Sequence, residues 1–320
     1  IEEMGVEARY LRGADICAAD VKDADALIVR TRTRCDRQLL EGSRVQFIAT
    51  ATIGFDHIDT AYLQEAGISW TNCPGCNAAS VGQYLRSTLL LLARDHGLDL
   101  QAATLGIVGC GHVGSEVLSA ARELGMRILV CDPLATPRED VEWVTQDVIE
   151  READVITFHV PLTHDGPCPT WHLADQAFFG RLRRRPFVVN TSRGPVVDDD
   201  ALLQALNEGL VRQAVIDTWE HEPHISLPLL DKVYIGTPHI AGYSADGKVN
   251  ADNMALEALC RHFHLPRPHR IVPPALPADF IYTGDPLQLY NPLDDSRRLK
   301  ACPDHFEELR GNYPLRREKA

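Results

Sequence analysis

Several things are missing from this sequence, and each absence excludes a class of protein. No apolar run approaches the roughly 20 residues needed to span a bilayer; the longest, Leu89 to Ala93, is one stripe of a helix. The opening Ile1-Glu2-Glu3-Met4 is acidic and has no apolar core, so it is not a signal peptide. It also lacks an initiating Met, and the natural start is expected upstream. Excess positive charge is absent: Lys and Arg number 32 against 45 Asp and Glu, a formal net charge of −13. Such a chain repels nucleic acid and anionic membranes, so neither is expected as a partner, and an anionic substrate needs a local basic site. A regular cysteine framework is absent too. The nine cysteines are odd in number and scattered, which fits reduced thiols in a cytosol rather than a disulfide framework. Cys73-Pro-Gly-Cys76 has CxxC spacing, but there is no second CxxC and no clustered His. It reads as a turn with incidental thiols, and no metal is expected.

What is present is an alternation of short apolar strands with helical patterns. The length, 320 residues, suits two domains. Strands are predicted at 26–30, 45–49, 103–109, 127–131, 155–158, 187–190, 214–217 and 233–236, and helices over 78–95, 115–124 and 244–263. This alternation predicts an α/β protein with a doubly wound parallel (Rossmann) sheet covered on both faces. Seven prolines between Leu265 and Pro292 break any periodicity there, so that stretch reads as a linker or irregular extension.

Gly109-Cys-Gly111-His-Val-Gly114 is a G-x-G-x-x-G between a predicted strand and a predicted helix, the context that makes this pattern informative. Gly109 permits the tight turn, Gly111 lets a pyrophosphate approach the backbone, and Gly114 lets helix and strand pack closely. The helix start supplies N–H groups and a positive dipole end. Gly109, Gly111, His112, Val113 and Gly114 are thus the candidate cradle, with the His112 side chain read as exposed on the loop. Asp132 ends the next strand, 18 positions after Gly114. A carboxylate there accepts from adenine-ribose hydroxyls and repels a 2′-phosphate, which favours NAD over NADP.

Three later segments carry ionisable residues just past a strand: Asn190-Thr-Ser-Arg193, Asp217-Thr-Trp-Glu-His-Glu222-Pro and Gly236-Thr-Pro-His239-Ile-Ala-Gly-Tyr243. Open parallel sheets bind ligands at that edge. Oxidising a 2-hydroxy acid requires a cation for the carboxylate, a base for the hydroxyl proton and a partner that orients the base. Arg193 offers a bidentate fork. His239 offers an imidazole, which can accept and return a proton. Glu222 on the other ring nitrogen would fix the tautomer. Taken singly, Arg193 fits a structural ion pair and Glu222 a loop carboxylate, and a lone His after a strand is more often structural. Asp217 fits either a place facing the nicotinamide or a cap on its strand. His221 is a weaker base candidate, with nothing to specify a partner.

These segments resemble the signature stretches of the D-isomer-specific 2-hydroxyacid dehydrogenases. Further resemblance lies in Phe47-Ile-Ala-Thr-Ala-Thr52, Asp56-His-Ile-Asp59, Pro74-Gly-Cys-Asn-Ala78, Thr157-Phe-His-Val-Pro-Leu162 and Gly247-Lys248, and it runs from about Ala24 to Phe263. The resemblance implies a catalytic set of Arg193, Glu222 and His239. It implies NAD contacts from Asp132, Val160 (through its backbone), Asp217 and Gly242, and substrate contacts from Thr31, Thr52 and Tyr243. It implies a Rossmann domain at 93–240 inserted in a flavodoxin-like substrate domain at 1–92, a returning helix at 241–265, and a partial C-terminal dimerisation region at 266–320. A homodimer acting on a phosphorylated D-2-hydroxy acid is expected. Phosphoglycerate or glycerate as substrate, or a non-catalytic nicotinamide sensor on the same fold, remain alternatives.

One basic segment suits the phosphate. Val29-Arg30-Thr31-Arg32-Thr33-Arg34 follows a buried strand; if extended, it aims its arginines one way and its threonines the other. Arg30 or Arg32 is the candidate phosphate ligand, against the alternative of a surface basic loop.

Overall fold

The computed structural model describes residues 4–266 and 269–320. Residues 1–3, and the Arg267-Pro268 step of the expected linker, lie outside the described residues. The chain divides into two units: residues 1–77 with 245–275, and residues 78–244 with 276–320.

The first unit is built on a three-stranded parallel sheet of β1 (Ala26–Val29), β2 (Phe47–Thr50) and β3 (Ser69–Thr71), in that order. All four β2 residues are buried, as the central strand of a covered parallel sheet should be. One face packs Val21, Leu40, Ile48 and Leu63 together. The other packs Phe47, Ala49 and Ala51 against Ala251, Ala255 and Leu259 of the helix Ala245–Phe263. Cys73 and Cys76 belong to this second cluster. Both are free, and burial pushes their thiols up, to about 11 and about 12, so neither is poised as a thiolate.

The second unit holds seven parallel strands: β4 (Thr104–Val108), β5 (Arg127–Cys131), β6 (Glu142–Trp143), β7 (Val155–Phe158), β8 (Phe187–Asn190), β9 (Gln213–Ile216) and β10 (Ile235–Gly236). Their order is β10-β9-β8-β7-β4-β5-β6, the doubly wound arrangement expected. Successive residues of a strand face opposite ways, and the core divides accordingly. Ile156, Phe158, Val188 and Ile216 enter one cluster. Val155, Val189, Val215 and Ile235 enter the other. The order reverses between β4 and β7, and this switch point opens at the carboxyl edge, where the candidate residues sit.

The end of the chain is more ordered than its proline content suggests. Asn291 caps a helix at Pro292–Ala301 with its side chain, Pro292 takes the first helical position, and Asp294 and Asp295 sit in its first turn. Leu299 and Phe306 are buried in the sheet's core. Among the described residues no helix is long and apolar enough to cross a membrane, and no group of three or more His, Cys, Asp or Glu is placed to hold a metal ion.

Candidate active site

The glycine turn leaves β4 at Gly109, whose φ is +90°. A Cβ there would lie 2.6 Å from the His159 carbonyl oxygen at the end of β7, and one on Gly114 would lie 2.2 Å from the Gly109 carbonyl oxygen. Only glycine allows that folding of the turn onto itself. Gly111 faces open space instead, as backbone approached by a phosphate must. It caps the helix His112–Glu123, whose first N–H groups are turned outward. His112 is exposed and Val113 is packed against the core.

Asp132 sits at the end of β5. Its Oδ2 accepts from the Cys110 N–H at 2.8 Å, and its Oδ1 from the N–H groups of Leu134 at 3.1 Å and Ala135 at 3.2 Å. The carboxylate is therefore locked beside the turn, with acceptor capacity left for ribose hydroxyls. This arrangement fits a dinucleotide. Val160, part-exposed, lies two residues past the end of β7. His159 beside it was not singled out from the sequence. Burial pushes its imidazole down to about 3, so it is neutral, with Nε2 2.9 Å from the Thr157 hydroxyl.

The Glu222 and His239 side chains meet. His239 Nδ1 is 2.8 Å from Glu222 Oε2 and 3.1 Å from Oε1, and Oε1 also accepts from the Trp219 N–H at 2.9 Å. A carboxylate on Nδ1 fixes the proton there and leaves Nε2 as the acceptor. Burial opposes ionisation of Glu222, but the bond and charge of His239, the Trp219 N–H and the Arg310 guanidinium at 3.5 Å together hold it below the usual value. His221, by contrast, is exposed.

Asp217 is buried, and both of its oxygens are occupied. Oδ1 accepts from the Thr237 hydroxyl at 2.6 Å and the Ile240 N–H at 2.8 Å, and Oδ2 from the Ala241 N–H at 3.0 Å. The carboxylate shapes the loop carrying His239, whose own N–H donates to the Asp217 carbonyl at 2.8 Å. Burial raises the Asp217 pKa, against the charge of His239 and these bonds.

Arg193 follows β8 and is half-buried. Its Nη1 donates to the Ser192 carbonyl at 2.8 Å, and among the described residues it pairs with no carboxylate. A half-buried guanidinium with unspent donors is suited to an incoming carboxylate. Asn190 fixes the segment by donating to the Arg193 carbonyl at 3.0 Å.

In the first unit, Thr52 donates to the Gly54 carbonyl at 2.8 Å and contacts the Thr50 hydroxyl at 2.6 Å. Chain direction after β1 differs from the extended alternation expected. A turn closes through the Thr33 N–H on the Arg30 carbonyl, leaving Thr31, Arg32 and Arg34 exposed while Thr33 is buried and donates to the Gly13 carbonyl. Arg30 pairs with Asp252 at 3.3 Å. Lys248, on the same helix as Asp252, is held below the usual lysine value by burial and then by the charge of Arg30.

Two arginines from the end of the chain reach this region of the second unit unannounced by the sequence. Arg310 lies on Glu222, and Arg316 is inserted under the 240–243 loop that includes Gly242 and Tyr243. No local pattern marks them, because their partners in this region lie from 73 to 236 residues earlier.

With this geometry in place, comparison with known proteins is specific. Residues 82–241 match the family model "D-isomer specific 2-hydroxyacid dehydrogenase, NAD binding domain". An erythronate-4-phosphate dehydrogenase of Bacteroides thetaiotaomicron is 53% identical over 326 residues, covering 99% of this chain and 93% of the relative. One from Pseudomonas putida is 41% identical, covering 98% and 88%. Among solved structures, a D-lactate dehydrogenase from Aquifex aeolicus, in complex with NAD and lactic acid, superposes with a TM-score of 0.65. It is 26% identical and covers 78% of this chain and 86% of its own. NAD is therefore the cofactor. Fold, site and relatives agree: the chain belongs to the D-isomer specific 2-hydroxyacid dehydrogenases, among the erythronate-4-phosphate dehydrogenases.

Proposed function

We propose that this protein oxidises 4-phospho-D-erythronate at C2 to (R)-3-hydroxy-2-oxo-4-phosphobutanoate with NAD⁺, a step toward pyridoxal 5′-phosphate. Its similarity to erythronate-4-phosphate dehydrogenases supports the substrate. The observation that carries the chemistry is the Glu222–His239 pair at 2.8 Å, on the sheet edge that also presents the half-buried, carboxylate-free Arg193.

NAD⁺, when bound, supplies a hydride acceptor at nicotinamide C4. The Arg193 fork holds the substrate carboxylate and so sets which face of C2 is presented. His239 Nε2 takes the C2 hydroxyl proton as the C2 hydride departs and the carbonyl forms. Glu222 keeps the proton of the neutral ring on Nδ1 and stabilises the imidazolium once it forms. Thr31, Thr52 and Tyr243 are assigned to the substrate, Arg30 and Arg32 to its phosphate. Val160, Asp217 and Gly242 are assigned to NAD, Asp217 through the loop it shapes. The first unit is assigned as the substrate domain and the end of the chain as a dimerisation region, in a cytoplasmic homodimer. The nine free cysteines support a reducing compartment.

The test follows NADH formation with 4-phosphoerythronate, erythronate, 3-phosphoglycerate and glycerate. The phosphorylated four-carbon acid should have the highest kcat/KM, and His239→Ala should lower kcat about 10²–10⁴-fold with NAD still bound. Equal or better use of 3-phosphoglycerate would overturn the substrate. Binding of NAD with no turnover of any acid would favour a sensor.

A further inference from the structure

His239 stands on a loop whose backbone needs partners of both signs. Asp217 takes its N–H groups, those of Ile240 and Ala241. Its carbonyls point the other way, toward the end of the chain. There Arg316 Nη1 donates to the Ile240 carbonyl at 3.0 Å and the Tyr243 carbonyl at 2.8 Å, and Nη2 donates to the Ala241 carbonyl at 2.6 Å. The remaining donors are spent just as fully. Nη2 also donates to the Ser80 carbonyl and hydroxyl at 3.3 and 3.1 Å, and Nε to the Gln83 Oε1 at 2.8 Å. The guanidinium lies 3.8 Å over the Tyr290 ring. Its five N–H groups thus tie the first turns of the helix Ala78–His96 to three carbonyls of the His239 loop.

The strand-like segment that delivers it is itself fastened. Residue 316 bridges Ser244 in parallel, and Gln83 donates to the Arg317 carbonyl at 2.8 Å. His239 has a φ of +55°, a conformation a non-glycine residue keeps only where its surroundings hold it. A buried carboxylate on the N–H side and a buried guanidinium on the C=O side supply that hold.

We infer that Arg316, with no part in the chemistry itself, is a positioning residue: by donating to the carbonyls of Ile240, Ala241 and Tyr243 it fixes the loop that aims His239. The inference rests on His239 being the acid/base. It makes the end of the chain part of the catalytic apparatus of its own subunit. Lysine cannot replace this arginine, because a single ammonium has three donors from one point and cannot serve the helix and the loop together.

The experiment compares Arg316→Lys and Arg316→Met with the full-length parent. In both, NAD affinity should fall less than kcat does, because Gly242 lies in the loop but the glycine turn and Asp132 are untouched. Both should lose kcat by about tenfold or more, since misplacement by about 1 Å costs up to about 10²-fold. In the protein without cofactor or substrate, backbone amide exchange of residues 237–243 should quicken by about tenfold, while that of β4 and β5 stays as in the parent. A Lys variant with parental kcat and parental exchange in that loop overturns the proposal. So does a uniform rise in exchange or a failure of the Lys variant to fold, either of which would make Arg316 a general stabiliser. The parent's turnover and its loss in His239→Ala are read separately, so failure of the functional reading is distinguishable from failure of the clamp.

Discussion

Gly194 sits immediately after Arg193 and is buried against the backbone of another segment of the proposed active site, that of Trp219 and Glu220. A methyl group there would lie 1.8 Å from the Trp219 carbonyl oxygen, 2.1 Å from its carbonyl carbon and 2.6 Å from the Glu220 nitrogen. These are main-chain atoms, so no rotamer change relieves the clash. Ordinary contact begins at 3.4 Å, so Gly194→Ala must part the two segments by about 1.6 Å. Arg193 would move from one side, or Glu222, three residues beyond Trp219, from the other. Displacements of about 1 Å cost up to about 10²-fold in rate, so kcat should fall by about 100-fold. Overpacking costs about 1–3 kcal/mol in stability, which should lower the melting temperature without unfolding the protein at ambient temperature. NAD affinity should be nearly unchanged, because the glycine turn and Asp132 lie on β4 and β5. Steady-state kinetics, a thermal melt and NAD titration read the three quantities. A variant with kcat within about threefold of the parent would show that the close approach of these segments does not set the catalytic geometry.

Three other perturbations follow from the same contacts. Asp132→Ala removes acceptors for the ribose hydroxyls, so the NAD dissociation constant should rise about 10–100-fold while discrimination against NADP weakens; undiminished discrimination in a two-cofactor titration would refute the role of Asp132. Replacing Arg30 and Arg32 together with Ala should raise KM for the phosphorylated acid and leave NAD affinity alone; an unchanged preference for phosphorylated over unphosphorylated erythronate would place the phosphate elsewhere. Asp199 is buried, and its carboxyl is pushed up to about 7, first by burial, against the Glu220 N–H and reinforced by the nearby Glu220, Asp198 and Asp200. Its folded pKa exceeds the unfolded value of 3.8, so its contribution to stability is full below that value and is lost as pH rises through about 7. Asp199→Asn should therefore flatten the fall of melting temperature between pH 5 and 8, and an unaltered slope would refute this.

The features that were legible in the sequence are those written in consecutive residues. β4, the glycine turn, β5 and Asp132 form one local pattern, and strand and helix appear where the periodicity changes. Arg193, Glu222 and His239 were legible because each follows a buried apolar strand in an open parallel sheet. The short β3 and β6 were not, since three and two residues carry too little alternation. The run after Val29 misled for another reason: a period of two in Arg and Thr implies extension, but the Thr33 hydroxyl is satisfied by Gly13 and bends the chain into a turn. Arg310 and Arg316 were invisible because what defines them is a set of distant carbonyl and carboxylate partners. A solvent-facing arginine in a charged tail would have the same local sequence.

Trp219 links all three segments of the proposed catalytic set. Its carbonyl abuts Gly194, its backbone N–H serves Glu222, and its indole N–H donates to the Thr237 carbonyl two residues before His239. The side chain is 1% exposed, so the ring acts as a spacer as well as a donor. The three segments therefore cannot drift independently as the sequence diverges. A smaller residue at 219 would leave a void and strip the Thr237 carbonyl of one of its two donors, the other being the His239 N–H, and any bulk added at 194 would collide with the same residue. Change in this part of the molecule should arrive as correlated sets of substitutions across 194, 219 and 237. A chimera that grafts one of these segments from a distant relative should fail unless the other two travel with it.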